Sequence, residues 1–158
     1  MAGPGPAAPA SEDSPASPAA PAAPTARAAP PALEPFHYRF ITVHPLPQQP
    51  TGEMIRAALQ ALVAAAAMTP FGPEAVQVGG ARGDRWDGFQ MIAESHIGLA
   101  GQGRHGEANI WSCRPFDADA CADALETALG GLWYYRRVQH AGYASAAPET
   151  QERRTDGG

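Results

Sequence analysis

Lysine is absent from this chain, and all eleven basic residues are arginine. Pyridoxal phosphate enzymes and Schiff-base aldolases need a lysine amine, so both classes are excluded. Any amine chemistry here must start from a carbonyl that the protein supplies. Cysteine is scarce: Cys113 and Cys121 form neither a paired framework nor a metal-type spacing, and reduced thiols are the expectation. Basic charge is scarce as well. The net charge is -5, and the pairs Arg136-Arg137 and Arg153-Arg154 are too small to make a patch, so no nucleic-acid partner is expected. Long apolar runs are missing too. The alanine-rich run near Ala64 is bracketed by Arg56 and Pro70 and is too short to span a bilayer. The first residues lack the basic start and apolar run of a secretory signal, so a soluble, cytoplasmic protein with no membrane partner is expected.

The first third of the chain is almost wholly Ala, Pro, Ser and Gly, which cannot bury enough apolar surface to offset ordering entropy. The composition predicts a disordered arm over residues 1–35, one folded domain over residues 36–142, and a disordered polar tail over residues 143–158. Within the domain, Phe36 to His44 alternates as a strand does. Thr51 caps a helix whose stripe is Ile55, Leu59, Leu62 and Val63, and Pro70 ends it. Ala75 to Val78 is a short strand, followed by a glycine-rich loop. Trp86 to Leu99 reads as one long strand, and Ala108 to Cys113 as another after a turn over Gly101 to Gly106. Asp117 opens a second helix with Phe116, Ala120, Cys121, Ala124, Leu125 and Ala128 on one face. Gly130-Gly131 close it, and Leu132 to Val138 is the last strand. This order predicts an α+β fold, a two-layer sandwich with a mainly antiparallel sheet and two helices on one face. The sheet face left over invites a homodimer.

Gly101, Gly103 and Gly106 spell a dinucleotide fingerprint, but a strand follows instead of a helix, so the motif has no helix N-terminus for a pyrophosphate. His96, His105 and Cys113 lack a consistent ligand spacing, so no metal is expected.

Met91 to Cys113 carries most of the chemistry-bearing side chains. Period-two geometry sets Ser95 among apolar neighbours, facing a core or pocket, and places Glu94 and His96 on the opposite face. On an ideal strand His96 cannot deprotonate Ser95; that requires a bulge or a strained turn. For Phe89 and Trp111, packing in the core and stacking on a ligand ring both remain open.

Ala93-Glu94-Ser95-His96-Ile97, a turn, a strand closing on Ser112-Cys113, and an Asp-capped helix together resemble the prokaryotic S-adenosylmethionine decarboxylases. The resemblance covers Phe36 to Gly142, about two thirds of the chain. It implies a self-processing dimer cleaved between Glu94 and Ser95, with Ser95 becoming a covalent pyruvoyl cofactor. A small amino-acid-type substrate would form a Schiff base with that carbonyl and lose its carboxylate, as in spermidine and other polyamine biosynthesis. Cys113 is carried over as general acid; beside it, the residues themselves suggest His96 as a site-shaping residue, the Glu94 side chain as one that reaches substrate, and Phe89 and Trp111 as substrate-stacking rings wherever they are not core. The chain departs from the family at Ala100 and Asp87, where a histidine and a serine assist processing, and at Asn109, where aspartate is common. Decarboxylation of ornithine or arginine on the same scaffold is one rival expectation. An unprocessed, catalytically silent homologue that binds or regulates an active enzyme is the other.

Overall fold

Alternating apolar and polar residues build the first strand, β1 (Phe36–His44), of the computed structural model, which describes Gly3 and residues 35–140. Apart from Gly3 and Pro35, the expected arm and tail lie outside the described residues. The Thr51 hydroxyl accepts from the Met54 N–H at 3.3 Å and starts α1 (Gly52–Ala65). Then come β2 (Ala75–Gly79), β3 (Arg85–Ile92), β4 (Ser95–Gln102) and β5 (His105–Ser112). The Asp117 carboxylate caps α2 (Ala118–Leu129) by accepting from the Ala120 N–H at 3.0 Å, and Gly130, at φ 76°, ends it ahead of β6 (Leu132–Arg137).

The six strands form one antiparallel sheet in the order β2-β3-β4-β5-β1-β6. The two helices pack side by side on one face, which makes the fold an α+β two-layer sandwich. Between the layers lie Ile55, Leu59 and Leu62 of α1, Leu125 and Leu129 of α2, and Phe40, Trp86, Ile97, Ile110 and Trp133 of the sheet, all buried. Each such side chain contributes roughly 1.5–3 kcal/mol by leaving water. The buried face of α2 is Ala118, Cys121, Ala122, Leu125 and Leu129, turned by about one residue from the face expected. Burial pushes the Cys121 thiol up to about 12, with the Asp117 charge adding, so it stays a neutral core thiol.

α1 stops at Ala65, short of Pro70, and two turns differ from those expected. Trp86 to Leu99 is not one strand: β3 ends at Ile92, a two-residue turn holds Ala93 and Glu94, and Ser95 opens β4 opposite Ile92. No Gly, Pro or Asn marks this turn, because contacts from residues 67–71 impose it. Ala93 N–H donates to Thr69 O at 2.9 Å, Phe71 N–H donates to Met91 O at 2.8 Å, and Pro70 bridges to Ile92. The next turn is shorter than expected, so His105 belongs to β5 opposite Gln102.

The glycine fingerprint has a packing cause. Gly101 and Gly106 are register partners, and a Cβ on either would lie 2.1 Å or 2.3 Å from the Trp86 indole, whose Nε1–H donates to Gly103 O at 3.1 Å. The three glycines seat a tryptophan.

Candidate functional site

Among the described residues, no helix covers the second face of the sheet. Its side chains follow the register in rows across the strands. One row runs Met91, His96, Trp111 and His37; the next runs Ala75, Phe89, Gly98, Asn109 and Arg39; a third runs Gln77, Asp87, Ala100, Glu107 and Ile41. Phe89 and Trp111 both lie on this open face, which overturns core packing for either. Phe89 is 41 % exposed and stacks on His96 at 5.6 Å between centroids, while Trp111 stacks on His96 from the other side at 6.3 Å. Between Phe89, Asp87, Gly98, Ala100 and Asn109 the sheet surface is hollowed into a trough of about 470 Å³. Small residues make its floor, and an added Cβ at Gly98 would meet nothing within 4 Å. Asp87 and Ala100 face each other across β3 and β4 at one end, where Asp87 pairs with Arg85 at 2.9 Å.

Ser95, half-buried, stands at the head of β4. Its φ is 156°, a value that L residues rarely adopt. Its Oγ lies 3.2 Å from His96 Nδ1, so the strained turn does what an ideal strand forbids and joins the two adjacent side chains. The peptide carbonyl just before Ser95, that of Glu94, accepts from the Cys113 N–H at 3.1 Å. Hydroxyl, imidazole and a polarised carbonyl therefore sit on consecutive residues. An attack of Oγ on the Glu94 carbonyl carbon would find an imidazole beside the hydroxyl and a donor already on the carbonyl oxygen.

The Glu94 side chain turns away from the trough. Its Oε2 accepts from the Thr69 N–H at 3.1 Å, and Oε1 is 3.5 Å from an Arg114 nitrogen that also donates to Ala67 O. The Thr69 N–H, aided by Arg114, holds the Glu94 carboxyl below its usual range. Cys113, just past β5, is exposed, and its backbone N–H donates to the Glu94 carbonyl.

Four participants were invisible in the sequence. Thr69 and Arg114 reach Glu94 through tertiary contacts alone, although Arg114 adjoins Cys113. His37 and His140 extend the aromatic row: His37 Nε2 is 3.3 Å from Asn109 Oδ1, and His37 Nδ1 is 3.0 Å from His140 Nε2. The amide oxygen can only accept, so His37 donates from Nε2, and its Nδ1 accepts from the His140 Nε2–H. Burial holds the His37 pKa below 6.5; the Asn109 hydrogen bond opposes this, and His140, His96 and Arg39 reinforce it. His105 lies at the far end of β4 and β5 from His96. No protein-family model matches the chain, and no curated protein matches it.

Proposed function

We propose that this protein is a self-processing, pyruvoyl-dependent decarboxylase of the S-adenosylmethionine decarboxylase type. The observation that carries the proposal is Ser95: a strained residue whose hydroxyl lies against His96 and whose preceding carbonyl is held by the Cys113 N–H. Strain of this kind is worth on the order of 1–3 kcal/mol, and scission at Ser95 releases it. His96 takes the Ser95 hydroxyl proton as Oγ bonds to the Glu94 carbonyl carbon, and the Cys113 N–H stabilises the oxyanion. The carbon–nitrogen bond then breaks and the proton passes to the Ser95 nitrogen, so the amide has become an ester. Loss of the Ser95 α-proton and cleavage of Cβ–Oγ releases the Glu94 chain as a carboxylate. Water then replaces the freed nitrogen, which leaves as ammonia, and residue 95 ends in a ketone.

The carbonyl so formed supplies an electron sink for removing carboxylate from an amine-bearing substrate. The chain's own residues supply the rest. The trough beside Phe89 receives the body of the substrate, with Gly98 and Ala100 as its floor, and the Phe89 and Trp111 rings offer faces for stacking. Cys113, adjacent to the scissile carbonyl through its N–H, returns a proton to the substrate carbon.

The test is the intact mass of the purified protein under denaturing conditions. Two chains divided between Glu94 and Ser95, the second blocked at its N-terminus, support the proposal. Assays with S-adenosylmethionine, ornithine and arginine then identify the substrate, the first being expected. One observation favours the silent-partner reading: Asp87 is tied to Arg85 and faces Ala100, so neither position offers the helper groups of the family. A single chain of 16.4 kDa, stable over days, would overturn the decarboxylase reading and move the weight to the silent partner.

A further inference from the structure

The turn before Ser95 is pinned on both sides. Upstream, Ala93 N–H donates to Thr69 O at 2.9 Å, Thr69 N–H donates to the Glu94 carboxylate at 3.1 Å, and Arg114 spans from that carboxylate to Ala67 O. Ala67 is itself left-handed, at φ 51°, so the segment that receives Glu94 is a shaped loop. Downstream, Ser95 is fixed in register with Ile92 on one side and Ser112 on the other, and its Oγ is held at His96. A two-residue turn of Ala and Glu has no residue that favours a positive φ, so left free it would relax and return Ser95 to ordinary extended backbone. The Glu94 side chain is only 10 % exposed, although nothing in its chemistry keeps a surface glutamate out of water.

From this geometry we infer that Glu94 is a positioning residue for its own scissile bond: the Thr69–Glu94–Arg114 clamp keeps the turn seated on residues 67–69 and so maintains the strained Ser95 conformation from which the acyl shift starts. This inference rests on the self-processing reading above. It assigns the Glu94 side chain to processing and not to substrate, because the carboxylate points at the loop instead of the trough. Thr69 lies on the chain that would end at Glu94 and Arg114 on the chain that would keep the ketone, so the clamp ties the two halves across the cut. The covalent step is unchanged: Oγ bonds to the Glu94 carbonyl carbon, the amide carbon–nitrogen bond breaks, and one proton moves from oxygen to nitrogen.

The experiment follows splitting of the freshly translated full chain by intact mass, with and without hydroxylamine, which traps the ester. Wild type is compared with E94Q, E94A and R114A, and thermal melting of each serves as the folding control. E94A should slow splitting by about 10- to 100-fold, as misplacement of a reacting group does. The hydroxylamine-trapped fraction should fall in parallel, because the acyl shift itself is impaired. E94Q should recover part of the rate, since its amide oxygen still accepts from the Thr69 N–H, and R114A should show a smaller loss. Equal rates in all four chains would overturn the clamp while leaving self-processing intact. A wild-type chain that stays whole even with hydroxylamine would overturn self-processing and the clamp together. If E94A does not fold, E94Q and R114A decide the matter by the same rates.

Discussion

Ser95 has a backbone held in the sheet and a hydroxyl directed at its neighbour His96, and it meets both at a φ of 156°. S95A removes the nucleophile while leaving the ladder in place, so its mass spectrum should show one intact chain with melting close to that of wild type. H96A should leave splitting detectable but slower by roughly 10²-fold, the low end of what a positioned base contributes. Gly98 gives a test that separates the two chemistries. Because a Cβ there meets nothing within 4 Å, G98L should fold and split normally while its side chain fills the trough. Turnover of the added substrate should then be lost, and a G98L protein as active as wild type would remove the trough from the site. The serine, the histidine and the carbonyl before them were legible as a motif. Thr69 was not, since its part is played by a backbone N–H.

Among the elements, those whose ends carry a capping residue are legible in the sequence. β1 runs from Phe36 to His44 as expected, Thr51 and Asp117 cap both helices with their side chains, and Gly130 ends α2. Local hydrogen bonds decide such boundaries, so sequence spacing suffices to find them. T51A and D117A should each cost about 1 kcal/mol in chemical denaturation. The β3–β4 hairpin looks like one strand in the sequence because its turn is formed by the contacts of residues 67–71 and by no turn-forming residue of its own. The glycine motif shows the converse: its residues were visible but their purpose was not. G101A would drive a Cβ to 2.1 Å from Trp86 and should destabilise the fold by about 1–3 kcal/mol, the usual cost of overpacking. A G101A protein as stable as wild type would show that the indole has room to move.

For the molecule as a whole, an open sheet face bearing Ile41, Val43, Phe89 and Met91, each at least 39 % exposed, is the surface on which association of two protomers is expected, and light scattering should report twice 16.4 kDa. The same face sets a pH dependence. Burial lowers the folded-state pKa of His37 below 6.5, so around that pH the unfolded chain binds more protons than the folded one. The stability contributed by neutral His37 is therefore complete above 6.5 and is lost as pH falls through its lowered folded value. Glu94 acts in the same direction, since its folded-state pKa is also lowered, with its window in the carboxylate range. Thermal melting should drop between pH 7.5 and 5.5, and H37N should flatten that drop. An equal drop in H37N would place its origin elsewhere.

The amino-acid sequence by itself determined the helices and their caps, the α+β class, the exclusion of lysine-based amine chemistry, and the adjacency of Glu94, Ser95 and His96. Each of these depends on residue identity or on short-range spacing. Tertiary structure alone decided that Ser95 is strained, that the Cys113 N–H meets the Glu94 carbonyl, that Arg114 and Thr69 hold the Glu94 carboxylate, and that Phe89 and Trp111 flank His96 on the open face. Those features join residues far apart in the chain, and the cost of the Ser95 conformation is met by hydrogen bonds that no local pattern encodes.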